Sequence, residues 1–188
     1  MSIAKGTAQA YIDKLTRVLT AVDRNQIDRA VQLVADAWQG GKQILTLGNG
    51  GSALTALHFI NDWNKSVFMS RGKPFRGRSL VDNIGLVMSY ANDVSYQDIF
   101  VEQLKNLLAP GDLVIAISGS GNSENVVRAV RHANENGAVT LGLCGYRGGR
   151  LKETAQHVLW VDIDDMQISE DLHAMFGHMV MQRLCGYL

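Results

Sequence analysis

Two stretches of this chain have the composition of anion cradles, and two others carry side chains able to move protons or hold a metal. LGNGGSA (Leu47 to Ala53) and ISGSGNS (Ile117 to Ser123) each end an apolar run in glycines and small polar residues. Glycine lets the backbone approach an anion closely, and a helix that follows supplies free N–H groups and the positive end of its dipole. Serine hydroxyls add short, uncharged donors. Ser118, Ser120 and Ser123 can surround three phosphate oxygens, and Asn49, Gly50, Gly51 and Ser52 form the first turn. One such turn alone is as readily an ordinary capped βα turn; two, each after an apolar run, favour a phosphate site. Neither continues into Gly-Lys-Ser/Thr and neither reads G-x-G-x-x-G, so no nucleotide cofactor is expected.

His58 and Asp62 are spaced i, i+4 and share a face of a regular helix. A histidine and a carboxylate so placed can hold zinc or a similar divalent ion. Glu170, His173 and His178 fall in the last helical segment. Glu170 and His178 share a face but stand about 12 Å apart along the axis. Holding one ion with both from a single regular helix is a stretch; the alternatives are that Glu170 sits at a frayed helix start or that the two address different parts of a substrate. Each also has a plain structural reading: a satisfied helix histidine, a solvated surface acid, a first-turn acid favoured by the dipole. His132 and His157 lack comparable partners, and His173 is held in reserve.

The elements that position these residues read as alternating strands and helices. Helical spacing over Tyr11, Leu15, Val18, Leu19 and Val22, and again over Ile27, Val31, Val34 and Trp38, predicts two helices before Gly40-Gly41. QILTLG is a buried strand, followed by the first turn and a helix from about Ala53 to Asn64. RSLVDN (Arg78 to Asn83) reads as a second short strand, and 85–93 is ambiguous. Ser95 with Asp98 resembles a capping box opening a helix to Leu108. DLVIAIS is the clearest parallel strand. The second turn opens a helix that ends near Gly137; VTLGLC and HVLWVDI are strands, and a helix spans about Ser169 to Tyr187. The fold class is therefore α/β, a doubly wound, mostly parallel sheet flanked by helices. One domain is expected, 1–188, with 1–41 a helical extension of a 42–188 core.

Lys plus Arg and Asp plus Glu balance at 18 each, which gives no electrostatic case for nucleic acid or an anionic membrane. No apolar signal core opens the chain and no run approaches a membrane span, so the expected setting is cytoplasmic. Cys144 and Cys185 lack metal-type spacing; Cys144 ends an apolar run and reads as a buried, inert thiol.

GNGGSA, a histidine in the next helix (His58), ANDVSYQDIF, ISGSGNSENVVRA and a final helix with GHMV (Gly177 to Val180) resemble the sugar-isomerase (SIS) family over nearly the whole chain. Within it they look like the phosphoheptose isomerases. The resemblance implies a homotetramer with active sites between subunits and a substrate phosphate on Ser52, Ser118, Ser120 and Ser123. Gly119 lies in the same turn. Asn49, Gly50 and Gly51 would line the sugar site, with Asn92 and Asp93. It also implies a zinc-stimulated aldose–ketose isomerase acting on sedoheptulose 7-phosphate through an enediol.

Departures from that pattern gather in the catalytic half. Asp62 stands where the family usually has glutamate, Glu170 where it has glutamine, Gly119 where it has threonine, and Ser66, beside Lys65, where it has arginine. Isomerisation needs a base beside the carbonyl and an acid near the oxygen that gains charge. The roles expected are Asp62 or Glu170 as base, His178 as acid and His58 as metal ligand or polariser, with Asp62, Glu170 and His178 also in the ligand set. The departures leave open an isomerase of a different sugar phosphate or a non-catalytic sugar-phosphate-binding protein.

Overall fold

Five short apolar runs pair into one parallel sheet in the computed structural model, which describes residues 6–188. The strands are β1 (Ile44–Gly48), β2 (Gly77–Ser79), β3 (Leu113–Ser118), β4 (Val139–Cys144) and β5 (His157–Trp160). Their spatial order is β2-β1-β3-β4-β5, with every neighbouring pair parallel. Every residue of β1 and β3 is buried, as a strand covered on both faces requires. The expected doubly wound architecture is thus present.

The period-2 alternation divides the core. Ile44, Ile115, Ile117 and Leu143 face one layer, where α2 (Arg24–Gln39), α3 (Gly51–Asp62) and α9 (Met166–Cys185) pack. Leu45, Leu47, Val114 and Ala116 face the other, covered by α6 (Ile99–Leu107) and α7 (Glu124–Glu135). The chain order reverses between β1 and β3, since β2 lies on one side of β1 and all later strands on the other. Such a switch point opens a crevice at the carboxyl ends of the two strands, where both glycine- and serine-rich turns emerge.

Several boundaries differ from the sequence reading. The segment 85–93 is helical: α5 (Ile84–Asp93) starts from Asn83, whose side chain accepts from the Leu86 amide at 3.1 Å. The second strand stops at Ser79, because the Asp82 amide turns back to the Ser79 carbonyl. Ser95 does not cap through the backbone; its hydroxyl donates to the Asp98 carboxylate at 2.6 Å, and a 3₁₀ turn (Tyr96–Asp98) leads into α6. The last helix starts at Met166, because the Asp165 side chain caps the Ile168 amide at 3.1 Å. A short helix, α8 (Gly149–Thr154), was not anticipated. The helix after the first turn also runs on, through a π-helical turn (Trp63–Val67) into α4 (Phe68–Arg71).

The two expected N-terminal helices are α1 (Ala8–Ala21) and α2. α2 buries Leu33 and Val34 among others, whereas α1 buries none of its residues. α1 is tied instead to α9: the Tyr11 hydroxyl donates to Asp171 at 2.7 Å and Lys14 pairs with Asp165. Cys144 and Cys185 are free and buried, and burial pushes the Cys144 thiol up to about 12, far from a reactive thiolate. Among the described residues no helix is long and apolar enough to cross a membrane.

Candidate active site

The crevice between β1 and β3 holds a cleft of about 160 Å³. Asn49 and Ser52 line it from the first turn, and Ser118, Gly119, Ser120 and Ser123 from the second. α9 closes it with Met166 and Glu170. Neither Gly50 nor Ser123 caps its helix through a side chain, so the first two N–H groups of α3 (Gly51, Ser52) and of α7 (Glu124, Asn125) stay open to an anion, while the third of each is already bonded, Ala53 to the Gly50 carbonyl and Val126 to the Asn125 side chain. Ser118 and Ser123 Oγ lie 3.3 Å apart, close enough to share one phosphate. Gly50 and Gly51 belong to the first turn: Gly50 adopts φ 54, and Gly51 opens α3.

The serine turn is held from outside the cleft. Gly121 has φ +67 and lies so close to the α8 entry that a β-carbon would sit 1.8 Å from the Gly148 carbonyl oxygen. The Leu151 amide donates to the Gly121 carbonyl at 2.8 Å. Arg150 donates to the Asn122 carbonyl (2.8 Å) and to Glu124 (2.6 Å), and Glu124 also accepts from Arg128. These two guanidinium groups hold the Glu124 carboxyl below the usual carboxylate range. On the other side Asn49 and Asn125 exchange amide hydrogen bonds, both at 2.9 Å, and the Tyr96 hydroxyl donates to Asn49 at 2.9 Å.

α3 and α9 run side by side from the cleft. They approach so closely that a β-carbon on Gly177 would sit 2.2 Å from the Phe59 ring. The Trp63 indole donates to the Gly177 carbonyl at 2.9 Å, and Trp63 also stacks on Phe59 with ring centroids 4.9 Å apart. This contact sets His178 against His58. Their Nε2 atoms are 3.0 Å apart, so one must carry the proton and the other accept. Asp62 Oδ2 is 3.5 Å from His58 Nε2. His58, Asp62 and His178 place three ligand atoms within 4.8 Å of one another. Two imidazoles and one carboxylate suit zinc and leave a position open for substrate.

Glu170 is not part of that cluster. It sits near the start of α9 rather than at a frayed end, with Oε1 2.6 Å from where a Gly51 β-carbon would be. Among the described residues it forms no ion pair. Asn92 and Asp93 do not line the cleft; both are exposed at the end of α5, and the Asn92 amide donates to Asp93 at 2.8 Å. His132 is in the last turn of α7 and His157 opens β5, both toward the amino ends of the strands, away from the crevice. His173 is fully buried in α9, with neither ring nitrogen hydrogen-bonded. Sequence reading missed Tyr96, Asn125, Arg150 and Met166. Asn125 lies within ISGSGNSENVVRA and Tyr96 within ANDVSYQDIF, both quoted only as blocks; Arg150 and Met166 come from distant segments that carried no local signal.

Residues 10–145 match the SIS domain family, and the chain belongs to it. Relatives at 34–36% identity place it among the phosphoheptose isomerases within that family. A probable phosphoheptose isomerase of Thermoplasma acidophilum is 34% identical over 92% of this chain and 94% of its own. The phosphoheptose isomerase of Clostridium acetobutylicum is 36% identical over 82% and 79%. The fold matches a phosphoheptose isomerase structure from Francisella tularensis with a TM-score of 0.87 at 23% identity, over 95% of this chain and 96% of that one.

Proposed function

We propose that this protein is a sugar-phosphate aldose–ketose isomerase that interconverts sedoheptulose 7-phosphate and D-glycero-D-manno-heptose 7-phosphate. The observation that carries this reading is the arrangement of two subsites along one helix pair. The phosphate cleft lies at the start of α3 and α9, and the His58–Asp62–His178 cluster lies further along both. Ser52 and His58 are six positions apart, about 9 Å along the helix axis. A phosphate held at one end and a carbonyl at the other therefore need a sugar chain of several carbons between them.

The reaction moves protons without net redox change. A carboxylate removes a proton from C1 of the ketose, and the electron pair forms the C1–C2 double bond as O2 takes a proton from the acid. The O1 hydroxyl then loses its proton and C2 gains one, giving the aldehyde. His178 is the acid. Asp62, beside His58, and Glu170, which lines the cleft, are the two candidate bases, distinguished by Asp62→Asn and Glu170→Gln. Zinc held by His58, Asp62 and His178 would occupy the atoms that otherwise move protons and would supply a Lewis acid for the carbonyl oxygen in place of the His178 proton, with Glu170 as the base.

Two finer features belong to the same proposal. The enzyme is a cytoplasmic homotetramer with active sites between subunits. α5 supports this: it buries none of its residues, leaves Ile84 and Met88 68% and 65% exposed, and packs on the turn of Tyr96, whose hydroxyl reaches Asn49 of the cleft. Its product feeds the synthesis of envelope or capsular heptose.

Turnover of sedoheptulose 7-phosphate, followed by NMR of the sugar phosphates with and without zinc, tests the assignment. Ser120→Ala is expected to weaken substrate binding. His178→Ala is expected to keep binding and lower kcat by roughly 10²–10⁴-fold. Full turnover in His178→Ala removes it as the acid. Binding without any product in the parent protein turns the reading to another sugar phosphate, or to a non-catalytic role.

A further inference from the structure

The serine turn carries glycine at its second position, and another side chain occupies the space above it. A β-carbon on Gly119 would lie 2.3 Å from Met166 Sδ and 3.2 Å from its Cε. Met166 is the first residue of α9 and lines the cleft. Its backbone is fixed, because the preceding Asp165 caps the Ile168 amide and is paired with Lys14. The thioether therefore reaches over residue 119 only because residue 119 has no side chain.

This changes what the cleft can recognise. Ser52, Ser118, Ser120 and Ser123 present hydroxyl donors. Met166 presents none, and its sulfur is at most a weak acceptor. Phosphate oxygens belong on the serine side, so the substrate atoms against Met166 are those that need no hydrogen bond. A hydroxyl placed there, such as one carried on a branch beside the phosphate ester, loses its bonds to water and gains none.

We propose that Gly119 and Met166 act as one specificity-determining pair, in which the Met166 thioether selects a phosphate on an unbranched methylene and rejects one on a branched, hydroxymethyl-bearing carbon. The proposal rests on the cleft being the phosphate subsite, as read above, and adds a rule about which phosphate esters enter it.

Glycerol 3-phosphate and glycerol 2-phosphate are the probes, one a primary ester and the other a branched secondary ester of the same composition. Calorimetric titration of the intact protein is expected to show glycerol 3-phosphate binding about tenfold tighter, the lower end of what leaving one hydroxyl unbonded costs. Met166→Ala should shrink that ratio to about threefold or less, and Met166→Leu should preserve it. Gly119→Thr should weaken glycerol 3-phosphate binding, and adding Met166→Ala to it should recover most of the loss, because the two side chains compete for one volume. A ratio unchanged by Met166→Ala, or simple additivity in Gly119→Thr/Met166→Ala, overturns the pair while leaving the phosphate subsite intact. If the parent protein binds neither these esters nor inorganic phosphate, the subsite reading itself falls and takes the pair with it.

Discussion

Replacing His173 with leucine should remove a specific part of the protein's acid sensitivity. His173 is fully buried, with no hydrogen bond to either ring nitrogen. Burial pushes the imidazole down to about 4 from its ordinary value of 6.5, opposed by the nearby Cys144 carbonyl, which favours the protonated ring. Between these values the unfolded chain binds the proton and the folded one does not, so stability falls as pH falls. The full contribution is present above pH 6.5. Linkage removes about 2 kcal/mol of it by pH 5, and about 3 kcal/mol once the pH has passed well below 4. Urea unfolding at fixed protein concentration, at pH 7.5, 6.5, 5.5 and 5, measures this in the parent and in His173→Leu. Every other titrating group is common to both proteins, so the difference isolates His173. The stability difference should move in favour of His173→Leu by about 2 kcal/mol between pH 7.5 and 5. Parallel pH profiles would refute the claim that the folded protein holds a neutral, desolvated imidazole at this position.

Gly121→Ala should cost roughly 2 kcal/mol or more, from a positive φ and the collision with the Gly148 carbonyl, and should weaken phosphate binding with it; thermal melts with and without phosphate check both effects, and an unshifted melt would contradict the close crossing. Stripping divalent ions with EDTA should reduce turnover, and His58→Ala should reproduce that loss; activity unaffected by EDTA would rule out the metal role. Sizing in solution should give a species about four times the 20.6 kDa chain mass, and substituting Ile84 and Met88 together with serine should shift it to smaller species. A monomer in the parent protein would leave the exposed face of α5 without the proposed partner.

The chemistry of the two turns was legible in the sequence because it is local. A run such as DLVIAIS, bounded by Pro-Gly before it and by glycine and serine after it, reads as a strand buried on both faces, and a helix opening directly after such a turn leaves its first N–H groups facing the strand end. The same holds for His58 and Asp62, whose shared face follows from helical geometry alone. Boundaries were less legible where a single side chain decided them: Asn83 opens α5 and Asp165 moves the start of α9 ahead of Ser169.

Tertiary structure decided everything that depends on which elements meet. His58 and His178 are 120 residues apart, and their contact exists because Gly177 lets α9 press onto Phe59 of α3. The same packing sets Glu170 over Gly51, about two turns of α9 before His178. Met166 enters the cleft only because Gly119 leaves room, a dependence between residues 47 positions apart that no local pattern records. Local propensity and hydrogen-bonding capacity are written in neighbouring residues. The order of strands in the sheet and the close approach of two helices arise from burying apolar surface across the whole chain, and they determine which of the candidate side chains can act together.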